Sequence, residues 1–237
     1  MILAAGRGTR LAPLTDHTPK PLIDVGGRTL LDRVARRLVD AGADRLIVNV
    51  HDQPERIAGH LEALDLGVEI ALSREAEEPL ETGGGVLHAA HLFRRAGPFL
   101  LHNADIITEI DLRALLAAQR ESGALATLAV HERETSRFLL FDAGGLMGRE
   151  DVAGNVVERA REPRGEVRRL AFAGIHAIDP RFLDLVKERG VFSILDPYLR
   201  LAAAGERIFP LDVTGSLWLE IGTHERLAAA RRAMDSA

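Results

Sequence analysis

The chain opens with Met1-Ile2-Leu3-Ala4-Ala5-Gly6-Arg7-Gly8-Thr9-Arg10-Leu11. Met1 to Ala5 is an apolar run of strand length, and it passes directly into a loop of small residues carrying Gly6 and Gly8. At the end of a strand such a loop lets backbone N–H groups come close to an anion, because glycine has no Cβ to hold it off. The same spacing also suits a plain tight turn, and both readings stand at this point. Two familiar phosphate motifs are excluded. No Lys-Ser/Thr pair ends the loop as in a P-loop, and Gly6-x-Gly8 lacks the third glycine of the dinucleotide fingerprint.

Outward from this stretch, apolar runs of strand length alternate with longer segments of helical period. Leu30 to Val39 has helical spacing, Asp40-Ala41-Gly42-Ala43 supplies a turn, and Arg45 to His51 is a β-branched strand. A helix around Glu55 to Leu64, a strand at Val68 to Leu72, a helix after Gly85 and a strand at Pro98 to His102 continue the rhythm. Asp111 reads as the N-cap of a helix to about Glu121, ahead of a strand at Ala124 to Val130. The pattern predicts an α/β fold with a doubly wound, mostly parallel mixed sheet, Rossmann-like in outline. From Arg137 the runs shorten: Phe138 to Phe141, Val156 to Val157 and Leu170 to Ile178 read as strands. Ile194 to Ala203 and His224 to Met234 then read as helices, with strands at Arg207 to Leu211 and Leu217 to Ile221. No repeat, low-complexity tract or linker interrupts the chain, so residues 1–237 are expected to form a single domain.

A chain of 237 residues can bury one large core without disulfides or metal staples. The absence of cysteine excludes a thiolate nucleophile and cysteine-ligated zinc. A net charge of -5 argues against a nucleic-acid surface. Arg7, Arg10 and Lys20 nevertheless gather with only Asp16 as a nearby acid, which suits a small phosphorylated ligand. The start carries no basic leader and no later window reaches membrane length, so a cytoplasmic protein without membrane contact is expected. His88 and His91 share a helical face outside any HExxH frame, and no Ser-His-Asp arrangement has support.

Farther along, Thr18-Pro19-Lys20-Pro21-Leu22 sets Lys20 between two prolines that restrict its backbone, a useful device for a lysine beside phosphate. The whole run from Leu3 to Leu22, L-A-A-G-R-G-T-R-L-x-P-L-T-x-x-x-P-K-P-L, closely resembles the signature of sugar-1-phosphate nucleotidyltransferases. The resemblance implies that Leu3, Ala4, Ala5, Gly6, Arg7, Gly8 and Thr9 hold a nucleoside triphosphate, with Arg10 and Lys20 as catalytic cations that neutralise the transferring and leaving phosphates. It extends to about Ala230, with the nucleotide half at about 1–130 and the sugar half at about 131–237. Magnesium, a nucleoside triphosphate and a sugar 1-phosphate are the implied cofactor and partners, and a homodimer is among the assemblies left open.

Leu80-Glu81-Thr82-Gly83-Gly84-Gly85 opens a helix with consecutive glycines, each costing about 1 kcal/mol against alanine. Close approach of a planar base explains that, and a flexible helix entry is the other reading. The string resembles the branch acting on N-acetylmuramate 1-phosphate, which implies base contacts from Glu81, Thr82, Gly83 and Gly84. Asp105 follows His102-Asn103-Ala104 at the carboxyl end of a strand, where an open α/β sheet presents ligands, and so is a candidate for metal. The family usually shows Asn-Gly-Asp there; Ala104 replaces the glycine and leaves Asn103 in register to touch substrate. Trp218-Leu219-Glu220-Ile221-Gly222-Thr223 resembles the family's Trp-x-Asp-x-Gly-Thr, which makes Glu220 the second metal carboxylate, lengthened by a methylene. Strand alternation would set Trp218 and Glu220 on one face. Arg137 is either a fork for an anionic group of the sugar or a surface cation, and Gly174 resembles a position lining the sugar pocket. Uridylyl transfer is favoured. The alternatives are a mannose- or heptose-1-phosphate guanylyltransferase, a glucose-1-phosphate thymidylyltransferase, or a relative that binds without transferring.

Overall fold

The computed structural model describes residues 1–235. Four parallel strands form one side of a ten-stranded sheet, in the order Phe99–Asn103, Ile2–Leu3, Arg45–Val50, Glu69–Arg74. The opening strand is central because both its edges are paired: Ile2 lies between Val48 and His102, and Leu3 between Asn49 and Asn103. Alternation along these strands divides the core in two. Ile2 and Val48 pack with Leu31 and Leu38 of helix Leu30–Asp40 and Leu115 of helix Leu112–Ser122. Met1 and Ile47 face the other way, toward Val86 of helix Glu81–His88 and Tyr198 of helix Leu195–Ala203. Helices on both faces make the sheet doubly wound, as the alternation predicts.

The long strand Arg168–Ile178 joins the two halves. It runs antiparallel to Phe99–Asn103 through Ile175 to Ile178 and antiparallel to Ala126–His131 on its other edge, while its first residues pair with Arg137–Asp142. Its register against Ala126–His131 shifts between Phe172 and His176, and Gly174 sits inside that irregularity at φ +74°. A non-glycine residue is rare at such a φ, so the bend is built into the sequence there. Ile208–Asp212 adds a parallel edge beside Ala126–His131. Trp218–Glu220 pairs with Ile106–Thr108, which returns the end of the chain to the strand end carrying Asp105.

Most elements fall within one or two residues of their expected bounds. Asp111 caps its helix as read, accepting from the N–H groups of Arg113 and Ala114 at 2.9 and 3.0 Å. Two differences have physical causes. The helix expected after Gly85 begins at Glu81, so the glycines lie inside it. Strand Gly145–Asp151 escaped the reading because its glycines and charges mimic a loop; a Cβ on Gly148 would stand 2.5 Å from the Glu158 carbonyl oxygen, so that glycine serves close strand pairing. No helix among the described residues is long and apolar enough to cross a membrane.

Candidate active site

A cleft of about 280 Å³ opens at the carboxyl ends of Ile2–Leu3 and Phe99–Asn103. Leu3 to Gly6 line its floor, Asn103 to Asp105 and Lys20 one wall, and Pro79, Glu81 and Thr82 the other. A buried relay holds the floor to the far wall. The Ala4 N–H donates to Asn49 Oδ1 at 2.7 Å, Asn49 Nδ2 donates to Glu75 Oε1 at 2.7 Å, and Glu75 Oε2 accepts from the Leu80 N–H at 2.8 Å. Glu75 is only 3% exposed, so these donors replace its lost hydration. The Ala4 N–H is thereby committed to the protein, whereas those of exposed Gly6 and Arg7 have no acceptor among the described residues.

Sequence reading missed Asn49 and Glu75. The one signal was an amide in the apolar strand R-L-I-V-N-V, followed at the end of the next strand by an acid.

Lys20 is not a solvated loop residue. Its side chain is 12% exposed and forms an ion pair with Asp105, whose side chain is 25% exposed. Pro19 leads into a short turn at Lys20–Leu22, and the loop folds over the lysine stem at Gly8. Gly8 has φ +65°, and a Cβ there would meet Lys20 Cβ and Thr15 Cγ2 at 3.0 Å. Arg7 and Arg10, both exposed, have no carboxylate or carbonyl partner among the described residues. Most other arginines of this chain are engaged, so two free guanidiniums beside the cleft stand out; Thr9 is exposed between them.

The space that the glycines of helix Glu81–His88 leave is taken up by the protein itself. A Cβ on Gly83 would penetrate the Phe192 ring, one on Gly84 would collide with the Gly190 carbonyl oxygen, and one on Gly85 would stand 2.7 Å from Asn49 Nδ2 and 2.8 Å from Glu75 Oε1. The N–H groups of Gly83 and Gly84 donate to the Phe192 carbonyl at 3.0 and 3.2 Å. Protein, not open cleft, fills the space these residues leave, and only Glu81 and Thr82 of the string line the cavity. Glu81 does so at φ +59°.

Asn103 and Gly174 are brought together: a Cβ on Gly174 would stand 2.7 Å from Asn103 Nδ2. Arg137 lies elsewhere, on the outer hairpin strand, 84% exposed and 3.5 Å from Asp151, which corresponds to the surface-cation reading. Glu220 lies beside Asp105 through the backbone, since the Ile221 N–H donates to the Asp105 carbonyl at 2.8 Å. Its side chain, however, is paired with Arg226. Among the described residues no three His, Asp or Glu side chains gather as a ready metal cage. Behind the cleft, burial pushes His102 down to about 4 and His176 down to about 3, so both rings are neutral at pH 7.

Parallel strands that present a glycine loop, a half-buried lysine and an aspartate at their carboxyl ends define a nucleotide-site enzyme of the open α/β kind. Residues 1–236 match the family described as nucleotidyl transferase, and the chain belongs to that family. It is 32% identical to the N-acetylmuramate alpha-1-phosphate uridylyltransferase of Caulobacter vibrioides, covering 98% of this chain and 95% of the relative. It is 35% identical to the enzyme of the same name from Neisseria meningitidis serogroup B, covering 98% and 96%. Among solved structures, HddC from Yersinia pseudotuberculosis complexed with GMP-PN superposes with a TM-score of 0.75 at 21% identity, covering 98% of this chain and 97% of the other. The protein is therefore a transferase of a family that generally depends on a divalent metal.

Proposed function

We propose that this protein transfers a nucleoside monophosphate, uridylyl in preference, from a nucleoside triphosphate to a sugar 1-phosphate, giving a nucleotide sugar and pyrophosphate. N-acetylmuramate 1-phosphate or a related sugar is the proposed acceptor. The observation that carries this is the Lys20–Asp105 pair at the wall of a cleft whose floor ends at Gly6, where the N–H groups of Gly6 and the adjoining Arg7 have no acceptor among the described residues. The names of the two relatives support the base and the sugar.

The reaction forms one bond, from a sugar-phosphate oxygen to the α-phosphorus, and breaks one, from that phosphorus to the oxygen leaving with pyrophosphate. No covalent enzyme intermediate is required, and catalysis reduces to placement and charge stabilisation. In this reading the loop N–H groups and Arg7 hold the triphosphate, while Arg10 and Lys20 take up the charge that builds on pyrophosphate. Lys20 exchanges its carboxylate partner for a phosphate oxygen. Glu81 and Thr82 border the base, and Asn103 with Gly174 borders the sugar.

The donor chemistry fits magnesium, which takes hard oxygen ligands and usually combines one or two carboxylates with substrate phosphates and water. Asp105 would hold it, with Glu220 as second partner, and the bound ion supplies neutralisation of phosphate charge. A cytoplasmic location follows from the demand for nucleoside triphosphate, and a homodimer is the assembly to look for.

The test is pyrophosphate release with magnesium from UTP, GTP and dTTP, each paired with the 1-phosphates of N-acetylmuramate, mannose and glucose. UTP with N-acetylmuramate 1-phosphate is expected to be fastest. The guanine ligand named for the Yersinia neighbour favours one second reading, a guanylyltransferase, which GTP with mannose 1-phosphate would establish. No release from any pair would leave only a binding protein.

A further inference from the structure

Outside the residues that line the cleft, cations gather around Trp218, and two of them, Arg133 and Arg226, have no part in the transfer reaction. The Trp218 indole N–H donates to the Ala173 carbonyl at 2.9 Å, which fixes the ring beside the Gly174 that abuts Asn103. The Arg133 guanidinium stacks over that ring, 4.3 Å from its centroid, with His131 edge-on at 5.5 Å. Strand alternation sets Glu220 on the same face as Trp218, and Glu220 is paired with Arg226. Arg10 Nη2 and Glu220 Oε1 lie 3.2 and 3.3 Å from the one point where a Gly222 Cβ would stand. Arg226 thus pairs with Glu220 and Arg10 stands near the same carboxylate, while Arg133 lies over the neighbouring Trp218.

Arg133 is the most buried of the three. It is half-buried, its Nε is buried without a partner among the described residues, and its Nη1 has only a long 3.4 Å contact to the neighbouring Glu134 carbonyl. Burial lowers its pKa first; the field of Glu220 raises it and that of Arg226 lowers it, which places all three in one electrostatic neighbourhood. A planar fork held flat on an aromatic ring, with surplus positive charge beside it, is suited to a bidentate carboxylate. On the proposed function above, the group arriving beside Asn103 and Gly174 is the acceptor sugar.

The geometry points to Arg133, held by Trp218 and assisted by Arg226, as the residue that selects acceptor sugars bearing a carboxylate in addition to the 1-phosphate. Glu220 limits the surplus charge, so that one carboxylate rather than a second phosphate dianion is matched. The carboxylate is bound and takes no part in the transfer.

The experiment compares N-acetylmuramate 1-phosphate, neutral N-acetylglucosamine 1-phosphate and glucose 1,6-bisphosphate as acceptors with UTP, reading KM and kcat, alongside calorimetric binding of each. The wild type is expected to favour the carboxylate sugar in KM at least tenfold over the neutral one. Arg133→Gln should collapse that ratio tenfold or more with kcat little moved, and Arg133→Lys should restore part of it. An unchanged ratio in Arg133→Gln, an equal rise in KM for both sugars, or tighter binding of the bisphosphate than of the carboxylate would each overturn the assignment. Turnover with no preference among sugars would do the same while leaving the transferase reading intact. If no sugar is turned over, that reading falls, and the calorimetric ratio of carboxylate to neutral sugar still decides the role of Arg133.

Discussion

The chain has two glycine-rich segments at its cleft, and they look alike in sequence but differ in what occupies the space glycine leaves. At Gly6 no atom lies within 4 Å of where a Cβ would stand, and the residue is exposed at the cavity floor. At Gly83, Gly84 and Gly85 that space is filled by Phe192, the Gly190 carbonyl, Asn49 and Glu75. Gly6 is bare toward solvent and any ligand; the second segment is bare so that helix Glu81–His88 can dock on its own protein. The second also fixes the first, because Glu75 links the helix entry at Leu80 to Asn49 and hence to Ala4. Consecutive glycines therefore report a close approach without saying whose atoms approach.

The difference is open to direct attack. If chemistry belongs to the loop side, Asp105→Asn should lower kcat/KM by about three orders of magnitude, since it removes the charge that holds metal while keeping the shape. The melting temperature should move by only a few degrees, because the Lys20 pair it weakens is partly exposed. Near-normal transfer at limiting magnesium would remove Asp105 from the mechanism. Gly83→Ala should show the converse pattern. Its methyl enters the Phe192 ring, and overpacking of this sort costs about 1–3 kcal/mol, a loss readable by chemical denaturation. Gly6→Ala should change stability by less than about 0.5 kcal/mol yet slow transfer about tenfold through the crowded phosphate approach. Equal stability of the Gly6→Ala and Gly83→Ala proteins would erase the distinction.

A third probe reaches the core behind both segments. His102 and His176 are pushed down to about 4 and about 3 by burial, against about 6.5 in an unfolded chain. Between those values the unfolded state binds more protons than the native one, so stability is full above about pH 6.5 and falls as pH drops toward 4. Each unit of depression is worth about 1.4 kcal/mol. Denaturation midpoints measured from pH 7.5 to 4.5 should fall steadily, and His176→Gln should flatten the slope. A flat wild-type profile would mean that the rings are reached by water.

Much of this was legible in the chain. Apolar runs of strand length alternating with helical spacing, and the cap at Asp111, mark the sheet and its helices, because local propensity and tertiary packing agree there. The pinned Lys20 was legible too, since two prolines restrict one backbone. What was not legible depends on contacts across long sequence distances. Nothing near Gly83 announces Phe192, and nothing near Asn49 announces that its amide divides between Ala4 and Glu75. Arg137 drew notice as an isolated cation, whereas Arg133, four residues earlier, lies over Trp218 only because strands Ala126–His131 and Trp218–Glu220 converge after folding.

Glu220 gives the smallest and sharpest test. It stands where the family resemblance places a metal carboxylate, one backbone hydrogen bond from Asp105, yet its side chain is held by Arg226. Two roles follow, and they predict different magnesium responses when the pair is broken. As a metal partner, Glu220 is restrained by Arg226, so Arg226→Gln should lower the half-saturating magnesium concentration a few-fold, Glu220→Gln should raise it a few-fold, and Glu220→Asp should stay near wild type. As a counter-ion alone, Glu220 steadies the arginines, so Glu220→Gln should leave magnesium dependence unmoved and change only the KM for an anionic sugar. The backbone link to Asp105 favours the first outcome, because the hydrogen bond from Ile221 ties the strand carrying Glu220 to the strand end carrying the other carboxylate. Magnesium titrations of the three variants, with identical curves as the result that refutes a metal role, decide between them.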